Sequence, residues 1–436
     1  MQTLKKNNAE RAKKHLFASQ QTYYEQPITL TDGEGSRVKD DAGNEYLDAF
    51  AGIATNTLGY GDTEVAQAVA EQAKKLIHVS TLYLTDEMLD LAETVSRVAP
   101  EGMTKSFFSN SGSEANEAAA LVARTAKHSL DFLALEHAYH GRTVYTVAMA
   151  GLSNWRNFAA EYPHVAFAPN PYCYRCPLGL EYPSCEIACA RAAKRVIETQ
   201  TSGAPAAMIA ETIAGVGGIV TPPDEYFKVL EETLRPFGTL LIADEVQAGW
   251  GRLGDGMFGM PSSYGVVPDI ITSAKGLASG VPIGITITRP ELADVFKGPH
   301  INTFGGNPLA SRAAKVTIDV IEKRDLVGNA KRQGETLLAG LRELQKRFNL
   351  IGDVRGKGLM IGVELVKDRK TKAYASAEAT RLVDEMRKRN VLVGKGGRFG
   401  NIIRIQPPLI FSSDDCAEFL KAFEASMGAL GPPVSS

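Results

Sequence analysis

LLIADEVQAGWGRLG, residues 240–254, opens with an apolar strand that ends in two adjacent carboxylates, Asp244 and Glu245. DIITSAKGLASGVPIG, residues 269–284, repeats the arrangement, its apolar strand running into Lys275 between small residues. Such strands alternate with helical segments through the middle of the chain, the pattern of an α/β architecture with a mainly parallel sheet. Open sheets of this kind bind ligands beyond the carboxyl ends of their strands, so both charged ends point to a site.

The neighbouring sequence extends the same sheet. Strands are predicted at 106–109, 132–136, 165–168, 207–211, 239–244, 269–273 and 283–288, a sheet of about seven. Ala66, Val69, Ala70, Ala73 and Ile77 recur at helical spacing after Thr63, which predicts a helix capped there with those residues buried. Further helices are expected at 114–127 and 225–235. After Pro308 the pattern changes to a long helix through Ile321, another over 330–348, and a hairpin in IGDVRGKGLMIGVELV, residues 351–366. The C-terminal part therefore reads as a second, smaller α+β unit. Residues 170–184, rich in Pro, Tyr and Cys, read as a surface insertion.

Composition narrows the function. The 436 residues carry 48 Lys and Arg against 50 Asp and Glu, a net charge of −2, which argues against nucleic-acid or membrane-surface partners. A hydrophobic share of 44% supports a sizeable core. No apolar run approaches the ~18 to 20 residues that cross a bilayer. Lys5, Lys6, Arg11, Lys13 and Lys14 make the first residues basic without a secretory signal's apolar core. They read as a helix with a solvated basic face, a transit peptide being the alternative. Five cysteines are too few for a disulfide scaffold, so a reducing, cytoplasmic setting is expected.

SNSGSEANEAA, residues 109–119, places Gly112 and Ser113 between a strand and a helix's first turn. Free N–H groups and the helix dipole meet there and suit a phosphate, although a purely structural cap reads the same way. Asp244 and Glu245 alone fit a loop cap or a magnesium site equally well. Lys275 changes the reading, because a strand-end lysine with Gly276 and Gly280 beside it can form a Schiff base. A phosphate turn, a strand-end Asp and a strand-end Lys are the three contacts pyridoxal phosphate requires.

SNSGSEANEAA, AYHGRT, IADEVQAGWGRLG, SAKGLASGVPIG, NTFGGNP and VRGKGLMIGVEL follow one another along nearly the whole chain. In that order they resemble the class III, or omega, aminotransferases of pyridoxal-phosphate fold type I, most like the alanine:glyoxylate type 2 branch. The resemblance implies Lys275 as imine lysine and proton shuttle and Asp244 as partner of the pyridine nitrogen. It implies Gln247 at the phenolic oxygen, Val246 and Tyr139 on the two ring faces, and Gly112 and Ser113 on the phosphate. His140 and Glu211 are further cofactor-binding positions. Thr303 would reach the phosphate in a neighbouring subunit, which implies a homodimer or a dimer of dimers. Arg404 matches the arginine for the substrate carboxylate, and Arg142 one that binds a distal carboxylate in some relatives. Tyr83 and Trp250 are placed at the substrate pocket. The implied domains are a large one over 61–315 and a small one built from 1–60 and 316–436.

Departures from the family pattern matter. Thr212 stands where proline is usual and Gly284-Ile285 replaces Gly-Ala, both matters of packing. GYGD, residues 59–62, replaces GH-x-HP and is expected to reshape the pocket entrance, as is Trp250, where Phe or Leu is common. Val216 stands where relatives that use omega-amino donors with 2-oxoglutarate often carry a glutamate. With valine, Arg404 should stay free for a carboxylate in both half-reactions, favouring donors with a carboxylate near the amine. Cys173, Cys176, Cys185 and Cys189 have a spacing that could suit zinc. The insertion is read instead as an ordered loop with reduced thiols and no metal.

The reading is an aminotransferase that passes the amino group of an alanine-like, β- or omega-amino acid to pyruvate, glyoxylate or 2-oxoglutarate by ping-pong kinetics. An aminomutase, phospho-lyase, epimerase or decarboxylase would share the cofactor residues. A non-enzymatic binder of a phosphorylated ligand would leave Lys275 unexplained.

Overall fold

The alternation of apolar strands with amphipathic helices closes into a seven-stranded sheet at the centre of the computed structural model, which describes residues 7–20, 22–156 and 164–432. Three short strands come first: β1 (Leu30–Glu34), β2 (Arg37–Asp40) and β3 (Glu45–Asp48), an antiparallel meander. The central sheet follows: β4 (Lys105–Ser109), β5 (Phe132–Leu135), β6 (Val165–Ala168), β7 (Ala207–Glu211), β8 (Leu240–Asp244), β9 (Ile270–Ser273) and β10 (Gly284–Thr288). Its order is β4-β10-β9-β8-β7-β5-β6, with β10 antiparallel to both neighbours and the other pairs parallel. Every residue of β5, β7, β9 and β10 is buried, as expected where helices cover both faces.

The C-terminal part forms β11 (Ile351–Lys357), β12 (Met360–Asp368), β13 (Ala373–Tyr374), β14 (Val391–Leu392), β15 (Gly394–Gly396) and β16 (Ile402–Ile405). The expected hairpin is the β11–β12 pair, which continues through β16 to β15. The strand β14 joins β3 in parallel, so the chain's two ends share one sheet. Two long helices, Pro308–Lys323 and Leu326–Arg347, lead into this part. Asn307 caps the first, with proline at the position where a missing N–H costs nothing. Among the described residues no helix is long and apolar enough to cross a membrane.

Some expectations are corrected. The helix predicted after Thr63 spans Thr63–Lys75, but Asp62 caps it, accepting from the Glu64 and Val65 N–H groups. Its buried residues are Val65, Ala68 and Gln72, while Ala66, Ala70, Ala73 and Ile77 are exposed. Alanine carries little apolar area, so packing against the Pro308–Lys323 helix chooses the face instead. The GYGD segment contributes nothing to the cavity described below: Tyr60 hydrogen-bonds Asp48 at 2.5 Å, and a Cβ on Gly59 would lie 2.3 Å from the Gly35 carbonyl. Thr212 bonds the buried Glu245 at 2.7 Å, which is what its hydroxyl does in place of a proline.

Within the insertion, Tyr172 is buried and Arg175 pairs with Glu364 of β12, while residues 177–184 are exposed. Cys173, Cys176, Cys185 and Cys189 are free and line one small cavity there. Burial pushes the Cys189 thiol up to about 12. Among the described residues no three His, Cys, Asp or Glu side chains come together to hold a metal ion.

Candidate active site

Parallel strands put their carboxyl ends on one edge, and there the sequence places its chemistry. Asp244 ends β8, Glu211 ends β7, and Lys275 lies two residues beyond β9. The reversed β10 brings its first residue, Gly284, opposite Ser109 at the end of β4. From Ser109 the chain turns through Ser111, which caps the helix Gly112–Lys127 by accepting from the Glu114 N–H. A cavity of about 340 Å³ opens at this edge, its lining including Gly112, Ser113, Tyr139, His140, Glu211, Asp244, Val246, Gln247 and Lys275.

Asp244 is held on three sides. Its Oδ1 accepts from the Val246 N–H at 3.0 Å, and its Oδ2 from the Asn116 side-chain amide at 2.8 Å. His140 Nδ1 lies 2.7 Å from the same Oδ2, and His140 Nε2 is buried without a partner. Glu211 accepts from the Tyr139 and Gly215 N–H groups. Burial, reinforced by the charge of Asp244 and opposed by His140, pushes Glu211 up to about 7. Lys275 is partly exposed to the cavity it lines, and desolvation by its surroundings lowers its pKa; Asp244 and Glu211 oppose this and Arg404 adds to it. Its backbone φ of +33° lies in the left-handed region, where a side chain costs on the order of 1 kcal/mol. The Pro308–Lys323 helix packs against this turn and holds it there.

The glycines open the phosphate side. A Cβ on Gly112 would lie 2.8 Å from Val246, and one on Gly141 would lie 2.4 Å from Ser113 Oγ. Ser113 Oγ accepts from the Arg142 N–H at 3.0 Å, which ties AYHGRT to the helix start. A lysine, a carboxylate fixed by three donors, and the N-terminus of a helix at Gly112 and Ser113, all lining one cavity, fit pyridoxal phosphate.

Arg404 of β16 is not among the residues that line the cavity; it is buried, and its guanidinium donates to Oε1 of Gln247, which does line it, and to Gln406 Oε1, each at 2.7 Å. Its Nε is buried without a partner, and among the described residues it forms no ion pair. A Cβ on Gly396 would lie 2.6 Å from Arg404 Cδ and 3.3 Å from the Val216 carbonyl, so residue 216 flanks the arginine.

Other expected site residues are not gathered here. Arg142 and Thr303 are exposed, and Tyr83 is 67% exposed, all outside the cavity's lining. Trp250 is a correction: it is 1% exposed, its indole N–H donates to Ser273 Oγ at 2.8 Å, and its ring packs against Phe258. It therefore supports the Lys275 strand from the core and touches no substrate space. Sequence reasoning missed Asn116 and Gln406. Asn116 lies one helical turn after Gly112, on the same face, a spacing that could have revealed it.

The chain matches the family model described as Aminotransferase class-III over residues 18–427. It is 39% identical to alanine–glyoxylate aminotransferase 2 homolog 2, mitochondrial, of Arabidopsis thaliana, covering 96% of this chain and 86% of that one. It is 38% identical to a leucine/methionine racemase of Thermococcus litoralis, covering 94% and 92%. Its structure is similar to an amine transaminase from an uncultivated Pseudomonas species in its PLP-bound form, with a TM-score of 0.89 at 32% identity over 96% and 98% of the two chains.

Proposed function

We propose, on the premise that this chain belongs to the class III aminotransferases, that it moves the amino group of a donor bearing a carboxylate beside the amine to a 2-oxo acid. The chain is a pyridoxal-phosphate-dependent transaminase. Alanine or a β-amino acid is the proposed donor and pyruvate, glyoxylate or 2-oxoglutarate the acceptor, in two alternating half-reactions.

When bound, pyridoxal phosphate supplies an electron-accepting ring. The chain's own residues do the rest. The N–H groups of Gly112 and Ser113 receive the phosphate at the helix N-terminus. Asp244, oriented by Asn116, Val246 and His140, keeps a proton on the ring nitrogen. Lys275 Nζ takes the proton from the donor's carbon and returns it elsewhere, and the desolvation that lowers its pKa favours the neutral amine this requires.

Arg404 receives the donor's carboxylate, and its buried, anion-free guanidinium is the observation that carries the reading. A buried cation whose partners are neutral amides is costly unless an anion completes it. Val216 supplies none, so the substrate does. Exposed Arg142 is assigned to the distal carboxylate of a longer acceptor.

The assembly is a homodimer or a dimer of dimers, supported by exposed Leu82, Tyr83, Leu84, Ile301 and Phe304, near which Thr303 would serve the neighbouring subunit. A large domain over 61–315 and a small one from 1–60 and 316–436 remain the proposed division. Free thiols support a reducing, cytoplasmic compartment.

The test is a panel of donors against the three acceptors, in wild type and Arg404→Ala. Loss of an average charge-assisted contact, about 1.5 to 3 kcal/mol, predicts a fall of one to two decades in kcat/KM for carboxylate donors. Simple amines should be nearly unaffected. Preference for a carboxylate-free diamine would overturn the donor assignment. Loss of optical activity without a keto acid would favour racemisation, the activity in the Thermococcus relative's name.

A further inference from the structure

We propose that Gln406 is a positioning residue that sets the preference for carboxylate-bearing substrates, by holding Arg404 in place without cancelling its charge. The inference rests on the reading of Arg404 as the carboxylate site. Gln406 immediately follows β16, is fully buried, and is fixed by its own N–H donating to the Ala49 carbonyl at 2.8 Å. Its side chain faces two others, Arg404 and Gln247. Gln406 Nε2 donates to Gln247 Oε1 at 3.3 Å, which turns Gln406 Oε1 toward the guanidinium, 2.7 Å from Arg404.

The choice of an amide decides what the arginine can do next. A carboxylate at 406 would form an ion pair with Arg404, and any substrate carboxylate would then have to displace it. An aliphatic residue would leave the guanidinium short of acceptors and free to turn. The amide accepts a hydrogen bond, fixes the guanidinium's plane, and leaves the full positive charge for an incoming anion, with buried Nε still unpartnered. Gln247 cannot fill this role alone, because it also lines the cofactor cavity, whereas Gln406 is absent from that lining. On the other flank the Val216 carbonyl lies across Gly396 from Arg404. Neutral groups therefore bracket the arginine where a carboxylate would switch it off.

The test uses the cofactor-loaded enzyme and two probes that do not react: propanoate, which carries the carboxylate, and propanamide, its neutral analogue, titrated by calorimetry. Gln406→Glu should weaken propanoate about tenfold or more and leave propanamide within about twofold. Gln406→Met, nearly the same shape without the acceptor, should weaken propanoate about three- to tenfold. With alanine as donor, both variants should raise KM more than they lower kcat. Arg404→Ala separates the two claims. If it abolishes propanoate binding while Gln406→Glu binds propanoate as wild type does, Gln406 has no such role. If wild type fails to bind propanoate, or Arg404→Ala binds it unchanged, the carboxylate site itself is wrong and the inference falls with it. Equal weakening of both probes together with a lower Tm in the Glu and Met variants would mark Gln406 as structural and also overturn the proposal.

Discussion

Asn116 spans the gap between two strand ends: its amide donates to Asp244 Oδ2 at 2.8 Å while its carbonyl accepts from Thr272 Oγ1 at 2.6 Å. Both amide functions are used, so the side chain has one orientation, and Asp244 inherits it. A carboxylate asked to hold a proton on a ring nitrogen needs its remaining lone pairs occupied, and Asn116 occupies one of them.

Asn116→Ala should therefore weaken cofactor binding and slow the half-reaction together. A charge-assisted hydrogen bond of about 1.5 to 3 kcal/mol sets the loss at roughly one to two decades across the two quantities. Absorbance titration with pyridoxal phosphate and single-turnover rates with alanine measure both. Wild-type values for each would show that His140 and the Val246 N–H suffice.

Lys275→Ala should abolish turnover and the visible absorbance of the lysine-linked cofactor at once, because Nζ serves both. Added methylamine should restore part of the proton transfer, since a small base can enter the space the side chain leaves. A variant that still transaminates near the wild-type rate without added amine would move the role to another residue.

The positions of Lys275 and Asp244 were legible because strand-end chemistry is local: an apolar run, a charged residue and glycines suffice to place both. The seven strands were legible for the same reason, their apolar runs lying close to the spans found. Residues that act across the fold were not. Asn116 reads as an ordinary helix residue until β8 and β9 are set beside it, and Gln406 as one residue just past a strand end. Trp250 shows the converse error, since its place in a motif does not say whether a residue in the turn after β8 faces the site or the core. The helix at Thr63–Lys75 shows it again, where alanines at helical spacing face outward and a glutamine is buried.

Glu211 makes stability depend on pH. Burial, with the charge of Asp244, pushes it from 4.5 to about 7, so folding favours its protonated form. Its contribution is full below about pH 4.5, declines as pH rises, and is gone above about 7; a shift of this size is on the order of 3 kcal/mol. In the apoprotein, Glu211→Gln should flatten the slope of unfolding free energy against pH within that window. Denaturant unfolding at several pH values measures it, and an unchanged slope would assign the titration to another group. The mean stability should also fall by about 1 kcal/mol or more, because the amide cannot accept from both the Tyr139 and Gly215 N–H groups.

Thr303 tests the assembly. It is exposed, yet its neighbour Asn302 is bonded to Asn110 at 2.9 Å and to Glu114 at 2.6 Å, so the segment is held firmly beside the phosphate turn without entering this chain's cavity. A rigid, outward hydroxyl next to exposed Ile301 and Phe304 is well placed to serve a second chain. If it does, a Lys275→Ala chain and a Thr303→Ala chain are each impaired at different sites of a homodimer. In the mixed dimer, one site combines the intact lysine of one chain with the intact threonine of the other, and the second site carries both lesions. Co-expression of differently tagged chains, followed by sequential purification of the mixed species, gives a defined sample. Its specific activity should approach half that of wild type, well above the Lys275→Ala homodimer and, per intact site, above the Thr303→Ala homodimer. A per-site activity equal to that of Thr303→Ala alone would mean that each chain supplies its own threonine, and the cross-subunit site would be withdrawn.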